Sequence, residues 1–398
     1  MSGSERFRNA TQAVCLLAGL VTPCVAQTQS TGLEVGVLPA INFDADEGFG
    51  YGVLAEMYQY GVGGSSPYVW SARPTAFFTT EGRRDLTLFF DAPHVLPSGW
   101  RLDVFLGTER QIATPYYGLG NASTYDPALD AEDGADPFYY RFGRNRRSAT
   151  FNLQHDLGDT PLRWLVGAGL VSTDVDPVPE DDGTTLYATG VASEEVSEWS
   201  NFLRGGIVWD SRDRETGPRR GVWTEFLVQS VDEHLGADAS YTRWTFTDRR
   251  YYSLSDRLVF AHRYLIQGVT DGAPVNDLFQ VQTSFRQQEG VGGAKTVRGL
   301  FKNRFVGRGL LVWNAEFRWR AADFRVMGRR FHVTLSAFLD QGRVWDGNVQ
   351  FDELMSDLHH GYGGGVRLGM GDNFIVAVDL GRSSEAGMPM YIGLGYLY

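Results

Sequence analysis

Apolar and polar positions alternate along most of this chain. Over 148–154, Ala149, Phe151 and Leu153 interleave with Ser148, Thr150, Asn152 and Gln154. Over 311–319, Leu311, Trp313, Ala315, Phe317 and Trp319 share one face, and Asn314, Glu316 and Arg318 share the other. Over 331–340, Phe331, Val333, Leu335, Ala337 and Leu339 alternate with His332, Thr334, Ser336, Phe338 and Asp340. A period of two is that of a strand, whose successive side chains leave opposite faces. The pattern predicts strands near 33–43, 48–60, 68–80, 84–93, 100–112, 138–154, 161–172 and 195–210. It predicts more near 221–231, 239–252, 256–269, 308–320, 329–343, 361–369, 373–382 and 388–398, about sixteen in all.

The connections sort by parity. One alternate set contains 113–137, 173–194, 270–307 and 344–360; the other contains 61–67, 94–99, 155–160, 253–255, 321–328 and 370–372. Long loops on one side and short turns on the other are the habit of outer-membrane barrels, with the short turns periplasmic. Only 211–220 is a long member of the short set. The expected fold is therefore all-β: a transmembrane antiparallel β-barrel of about 16 strands, polar face to the lumen and apolar face to lipid. Closure satisfies every backbone group in a bilayer.

Composition agrees. Among 398 residues there are 48 Gly, 15 Pro and 13% aromatics. Mean hydropathy is −0.24, polar despite the aromatic load. After residue 30 no run approaches the roughly 20 apolar residues of a spanning helix. The start reads as an export signal. Arg6 and Arg8 give a basic lead, 13–21 an apolar run, and Cys24-Val25-Ala26 a small-residue cleavage site. The expected division is 1–26 signal peptide and 27–398 barrel domain, in preference to a membrane anchor or a lipoprotein signal at Cys24. Both cysteines fall in the signal, so the mature chain can hold no disulfide and no thiolate metal site. Net charge is −12, which argues against nucleic-acid binding.

A long loop carries the most specific residues. Within 270–307 stand Gly292-Gly293-Ala294-Lys295-Thr296-Val297-Arg298-Gly299-Leu300-Phe301. Two strands on is Phe338-Leu339-Asp340-Gln341-Gly342, and between them Asn314-Ala315-Glu316. Upstream, Asp210-Ser211-Arg212-Asp213 runs through Pro218 to Gly221, and Tyr117-Gly118-Leu119-Gly120-Asn121 precedes it. In this order the segments resemble the BamA/TamA outer-membrane superfamily, the bacterial surface antigen family. The Val-Arg-Gly loop, the Phe-x-Asp-x-Gly strand and the Asp-x-Arg-Asp turn carry the resemblance over roughly 117–342. It implies that loop 270–307 folds into the lumen.

The residues themselves support that expectation. Glu316 and Asp340 fall on the polar face by parity, and two carboxylates in a narrow lumen repel and lose hydration. Arg298 delivered by the loop would neutralise them, because a guanidinium stays charged and offers a bidentate fork. Phe338 would pack on the Arg298 stem, Val297 and Gly299 flank it, and Gly292 and Gly293 permit a tight turn. The alternative is a mobile external Arg298 above two solvated pore acids. At the other end, Leu394, Tyr396 and Tyr398 share a face with Met390 and Ile392, the aromatic terminal strand that the barrel-assembly machinery reads.

Nothing points to catalysis, a cofactor or a metal. His332-Val333-Thr334 superficially suggests a lipid hydrolase, yet no Ser or Cys stands beside a base and an orienting group. His359-His360 reads as a solvated loop pair, and acidic 126–136 as a solvated loop without EF-hand spacing rather than a site bridging lipopolysaccharide through a divalent ion. Asp44-Ala45-Asp46-Glu47-Gly48 reads as a hairpin turn.

Family members that insert or secrete proteins carry periplasmic POTRA domains before the barrel, and only 27–32 precede the first strand here. The resemblance therefore implies a POTRA-less barrel in the outer membrane of a Gram-negative bacterium, amid lipid and lipopolysaccharide. Its expected role is assisting protein or lipid insertion or passage with a separate periplasmic partner. The competing expectations are a passive channel constricted by the loop and a structural or surface-interaction barrel.

Overall fold

The structure is a computed structural model. It describes residues 31–44, 48–62, 65, 67–130, 138–179, 183–284, 288–371, 373–385 and 387–398. The expected signal peptide, both cysteines, the tip of the 44–48 turn and most of the acidic 126–136 segment lie outside these residues.

The molecule is inside out by the standard of a soluble protein. Leu33, Val37, Phe317, Trp319, Leu203 and Ile207 are about half exposed, whereas Arg263, Asn314, Glu316, Asp340 and Arg367 are fully buried. Alternation explains the inversion: each strand sends its apolar set outward and its polar set into the interior.

In chain order the wall begins with β1 (Leu33–Asp44), β2 (Gly48–Gln59), β3 (Trp70–Thr79) and β4 (Arg84–Ala92). Next come β5 (Trp100–Pro115), β6 (Arg141–Asp156), β7 (Leu162–Asp176), helix α1 (Leu186–Gly190), β8 (Val196–Trp199) and β9 (Phe202–Asp210). They are followed by β10 (Gly221–Val231), β11 (Tyr241–Ser253) and β12 (Leu258–Val269). The long loop holds helix α2 (Val275–Leu278), β13 (Gln280–Val281) and β14 (Gln288–Glu289). The wall resumes with β15 (Gly309–Val326), β16 (Arg329–Trp345), β17 (His359–Met370), β18 (Phe374–Arg382) and β19 (Met390–Leu394).

Every wall strand is antiparallel to its neighbour. β8 and β9 both pair with β7, over Ser172–Val175 and Leu162–Gly169, so they are one interrupted position in the wall. The 17-stranded sheet thus has sixteen positions, as the alternation predicts. Between β15 and β16 the expected turn 321–328 shrinks to two residues, Met327 (φ 48°) and Gly328 (φ 79°). Positive φ at both is the primed turn that suits strand twist. A bulge between Arg320 and Ala322 keeps Ala322 and Phe324 opposite Val333 and Phe331.

Two other expectations are corrected. The 195–210 strand breaks near Ser200–Asn201, where Asn201 Oδ1 accepts the Val171 N–H at 3.2 Å and interrupts the ladder. The last strand does not run to 398. It stops at Leu394, opposite Val376, and Gly395 (φ 77°) turns the chain inward. Among the described residues no ladder joins β1 to β19. The start of β18 nonetheless meets β1 and the end of β2: the Phe374 ring occupies the space above Gly36, and Asn373 Nδ2 donates to Tyr60 Oη at 2.5 Å.

Candidate functional site

The segment from α2 to β15 fills the lumen and is fastened at two depths. The first fastening is Asp277 on α2. Its carboxylate accepts from Ser200 Oγ (2.5 Å) and Tyr241 Oη (2.6 Å) and faces Arg146 at 3.4 Å. Arg243 Nη2 donates to its backbone oxygen at 2.7 Å. Burial raises its pKa, but Arg146 and Arg243 outweigh burial and hold the carboxyl below its usual range. Below it, Arg204 donates to Thr283 O (3.3 Å), and the Ser284 N–H reaches Glu225 (3.1 Å). These contacts tie the descending limb to β6, β9, β10 and β11.

The second fastening is Arg298. Gly292 (φ 120°) and Gly293 (φ 87°) reverse the chain, and Thr296 Oγ1 closes the turn onto Gly290 O at 2.7 Å. Val297 enters an apolar cluster with Val281, Val291, Leu300, Phe305 and Val344. Arg298 is then fully buried. Its Nε and Nη2 donate to Asp340 at 2.7 and 3.1 Å, and its own backbone N–H adds a third bond to Asp340 at 3.1 Å. Nη1 donates to Glu316 (2.9 Å) and to Asp379 (3.0 Å). The guanidinium lies 3.5 Å over the Phe338 ring. Glu316, Asp340 and Phe338 therefore surround Arg298, with Val297 and Gly299 on either side of it in the chain.

Asp379 was not anticipated. It sits on β18 and also binds Arg367 of β17, through Nη2 at 2.9 Å and through Nη1. Glu316 further takes Arg318 at 2.8 Å and lies 3.6 Å from Arg367. Three carboxylates thus meet three guanidiniums, so the burial of charge is balanced inside the cluster. Parity on β18 carried the signal, since Asp379 falls inward with Ile375 and Ala377.

Glycine lets the loop approach the wall. Gly299 (φ 101°) presses on the Arg382 backbone, where a Cβ would lie 2.6 Å from its oxygen. A side chain at Gly361 would collide with the Arg298 carbonyl oxygen. The Gly299 N–H donates to Tyr391 Oη (2.9 Å), and Tyr391 donates to Leu300 O (3.3 Å), so the loop also holds β19.

The 117–121 segment clamps the returning limb. Tyr117 stacks on Phe301 at 5.9 Å, and the Gly120 N–H donates to Val306 O at 2.8 Å. Asn121 donates to Asp357 O at 2.8 Å and accepts from the Val344 N–H at 3.0 Å. His359 opens β17 rather than lying in a loop. It packs 3.6 Å from the Phe305 ring centroid and bonds Asn121 O, so the solvated-pair expectation fails for it. The 210–221 turn is braced internally. Arg212 forks Asp210 with both bonds at 2.8 Å, Asp213 accepts the Arg219 N–H at 2.9 Å, and Pro218 leads to Gly221, whose Cβ would strike Ser211 O.

Beyond Leu394 the chain enters the lumen. Tyr398 is buried, its hydroxyl donating to Ala261 O (3.1 Å), while Arg318 donates to Tyr398 O (2.9 Å) and lies 4.1 Å from the Tyr396 ring. Tyr396 and Tyr398 therefore face interior arginines, not lipid.

A sixteen-position inside-out sheet whose external loop is bolted to lumen acids defines an outer-membrane β-barrel with an internal plug loop. Residues 71–373 match the Omp85 superfamily domain, and the chain belongs to that superfamily. It is similar in fold to a crystal structure of BamA from Haemophilus ducreyi lacking POTRA domains 1–3. There the TM-score is 0.54 at 12% identity, over 92% of this chain and 69% of that one. It is likewise similar to CdiB from Escherichia coli, with TM-score 0.55 and 12% identity over 93% of this chain and 62% of that one. This chain thus spans less than two thirds of CdiB, and at such identity the likeness is one of fold. No curated protein matches by sequence.

Proposed function

We propose that this barrel resides in the outer membrane of a Gram-negative bacterium and assists insertion or passage of protein or lipid there. In this reading it is not an enzyme, its own insertion uses the barrel-assembly machinery, and a separate periplasmic partner delivers cargo. The observation that carries the reading is the seam. Among the described residues β1 and β19 share no ladder, β19 pairs with β18 over only five positions, and the chain leaves the wall at Gly395. Unpaired strand edges template pairing with another chain, so an open seam offers an incoming strand a place to add. The loop hydrogen bonds through Tyr391 couple that edge to the plug. The test is a set of cysteine pairs across β1 and β19 in the otherwise cysteine-free barrel. Under oxidation, a locked seam should lose the ability to complement a deletion strain, and reduction should restore it. Full complementation by the oxidised, locked protein would end the seam mechanism.

A second reading, a channel constricted by its loop, draws on the polar lumen wall. It predicts large steady planar-bilayer currents that rise on deleting 285–305.

A further inference from the structure

A second polar site lies at the short-turn, periplasmic end, apart from the Arg298 lock. Arg214 and Arg219 of the 211–220 turn, Arg257 of the β11–β12 turn, Arg318 and Arg320 of β15 and His332 of β16 converge on one cavity of about 70 Å³. At about 10–15 Å³ for each water-sized probe, this is room for roughly five waters or one tetrahedral oxyanion. Thr216 and Thr334 add hydroxyls to the lining, and no carboxylate joins it among the described residues.

The cations are unevenly satisfied. Arg320 is engaged by Asp323 at 2.7 Å, and Arg219 donates to Ser255 O and Asp256 O at 3.0 and 2.6 Å. Arg318 is 4% exposed and spends Nε and Nη2 on Glu316 and Tyr398, yet its Nη1 has no hydrogen-bond partner. Arg214 stands 3.9 Å from Asp213, beyond hydrogen-bond range. Arg257 bonds through its backbone, its N–H donating to Ser255 Oγ and its carbonyl accepting from the Arg320 N–H. Among the described residues, arginines gather around a hollow that no carboxylate lines, and guanidinium forks fit phosphoryl oxygens.

We propose that this cavity binds a phosphoryl-type oxyanion, with Arg214 and Arg257 as its principal ligands. Two sources share that chemistry: a phospholipid headgroup of the periplasmic leaflet and free phosphate. The lining includes Ile375 of β18 and Tyr396 just past the end of β19, so the cavity adjoins the last strands of the wall at its short-turn end. The proposal does not depend on the insertion reading.

The full chain in detergent would be titrated with inorganic phosphate by phosphorus NMR. Separately, it would be loaded with phosphatidylglycerol and examined by native mass spectrometry. Arg214→Gln/Arg257→Gln is the comparison, with heat-modifiability checking that it is folded. Phosphate binding that weakens at least tenfold in the variant supports the site with free phosphate as its source. Retained phosphatidylglycerol that is lost in the variant supports it with lipid as its source. Absence of both ligands from the native chain, or equal binding by the folded variant, overturns the proposal. Should the double variant not fold, Arg257→Lys, which keeps the charge and loses the fork, must still weaken binding measurably.

Discussion

Arg298→Ala is the decisive perturbation of the plug. It removes four guanidinium hydrogen bonds at one point, two to Asp340 and one each to Glu316 and Asp379. The damage is unequal. Glu316 keeps Arg318 and Arg367, and Asp379 keeps Arg367, but the hydrogen-bond donors to Asp340 all belong to Arg298 among the described residues. The truncation therefore strips a fully buried carboxylate of its guanidinium partner and leaves it the backbone N–H of residue 298. Breaking one side of such a pair costs about 3–5 kcal/mol, which at 1.4 kcal/mol per decade raises the released-loop population by roughly two to three and a half decades. Limited proteolysis of the folded barrel should show new cleavage within 285–305, and heat-modifiability should shift to lower temperature. The reasoning makes a sharper claim through the double variant: Asp340→Asn in the Arg298→Ala background should recover part of the loss, because it removes the orphaned charge. Native protease resistance in Arg298→Ala, or a double variant worse than the single, would refute the lock.

Other expectations follow from the same contacts. Asp277→Asn should cost about 3 kcal/mol at the outer fastening while the Arg298 lock persists, so proteolysis should appear in 273–284 before 292–300. Gly361→Val should prevent docking of the loop, since its side chain meets the Arg298 carbonyl; folded-barrel yield with a protected loop would contradict this. Glu215 gives the pH dependence. Burial raises its pKa, but Arg101, bound at 2.6 Å, more than compensates and holds it below its ordinary 4.5. A depressed acid stabilises fully above its unfolded value and loses that contribution as pH falls through the folded one. Acid unfolding below about pH 4.5 should thus be less steep in Glu215→Gln; an unchanged acid limb in that variant would remove this pair from the account.

Much of the wall and half of the lock were legible in the sequence, for one physical reason. Strand alternation assigns a face to every residue, so Glu316, Phe338 and Asp340 could be placed inward before any contact was known. The same rule could have placed Asp379. What it could not supply was the pairing, because Arg367 and Arg318 fall inward by the same parity and any of them could face any acid. Asp277 was hidden differently: it lies in the loop, where no period exists, and its partners on β6, on β11 and in the β8–β9 break reveal it.

The failure at the C-terminus shows where local pattern yields to the interior. Met390, Ile392, Leu394, Tyr396 and Tyr398 continue one alternating face, and an isolated reading extends the strand to the end. In the fold, Gly395 takes a conformation with φ of 77°, which breaks the alternation after Leu394. Tyr398 then gains a hydroxyl bond to Ala261 O, and its ring and that of Tyr396 lie 5.2 and 4.1 Å from the Arg318 guanidinium. Arg318 also bonds Tyr398 O at 2.9 Å and Glu316, a carboxylate that Arg298 shares. The inward tail thus belongs to the same charge cluster as the plug. Loss of Arg298 should be felt at the seam as well as in the loop.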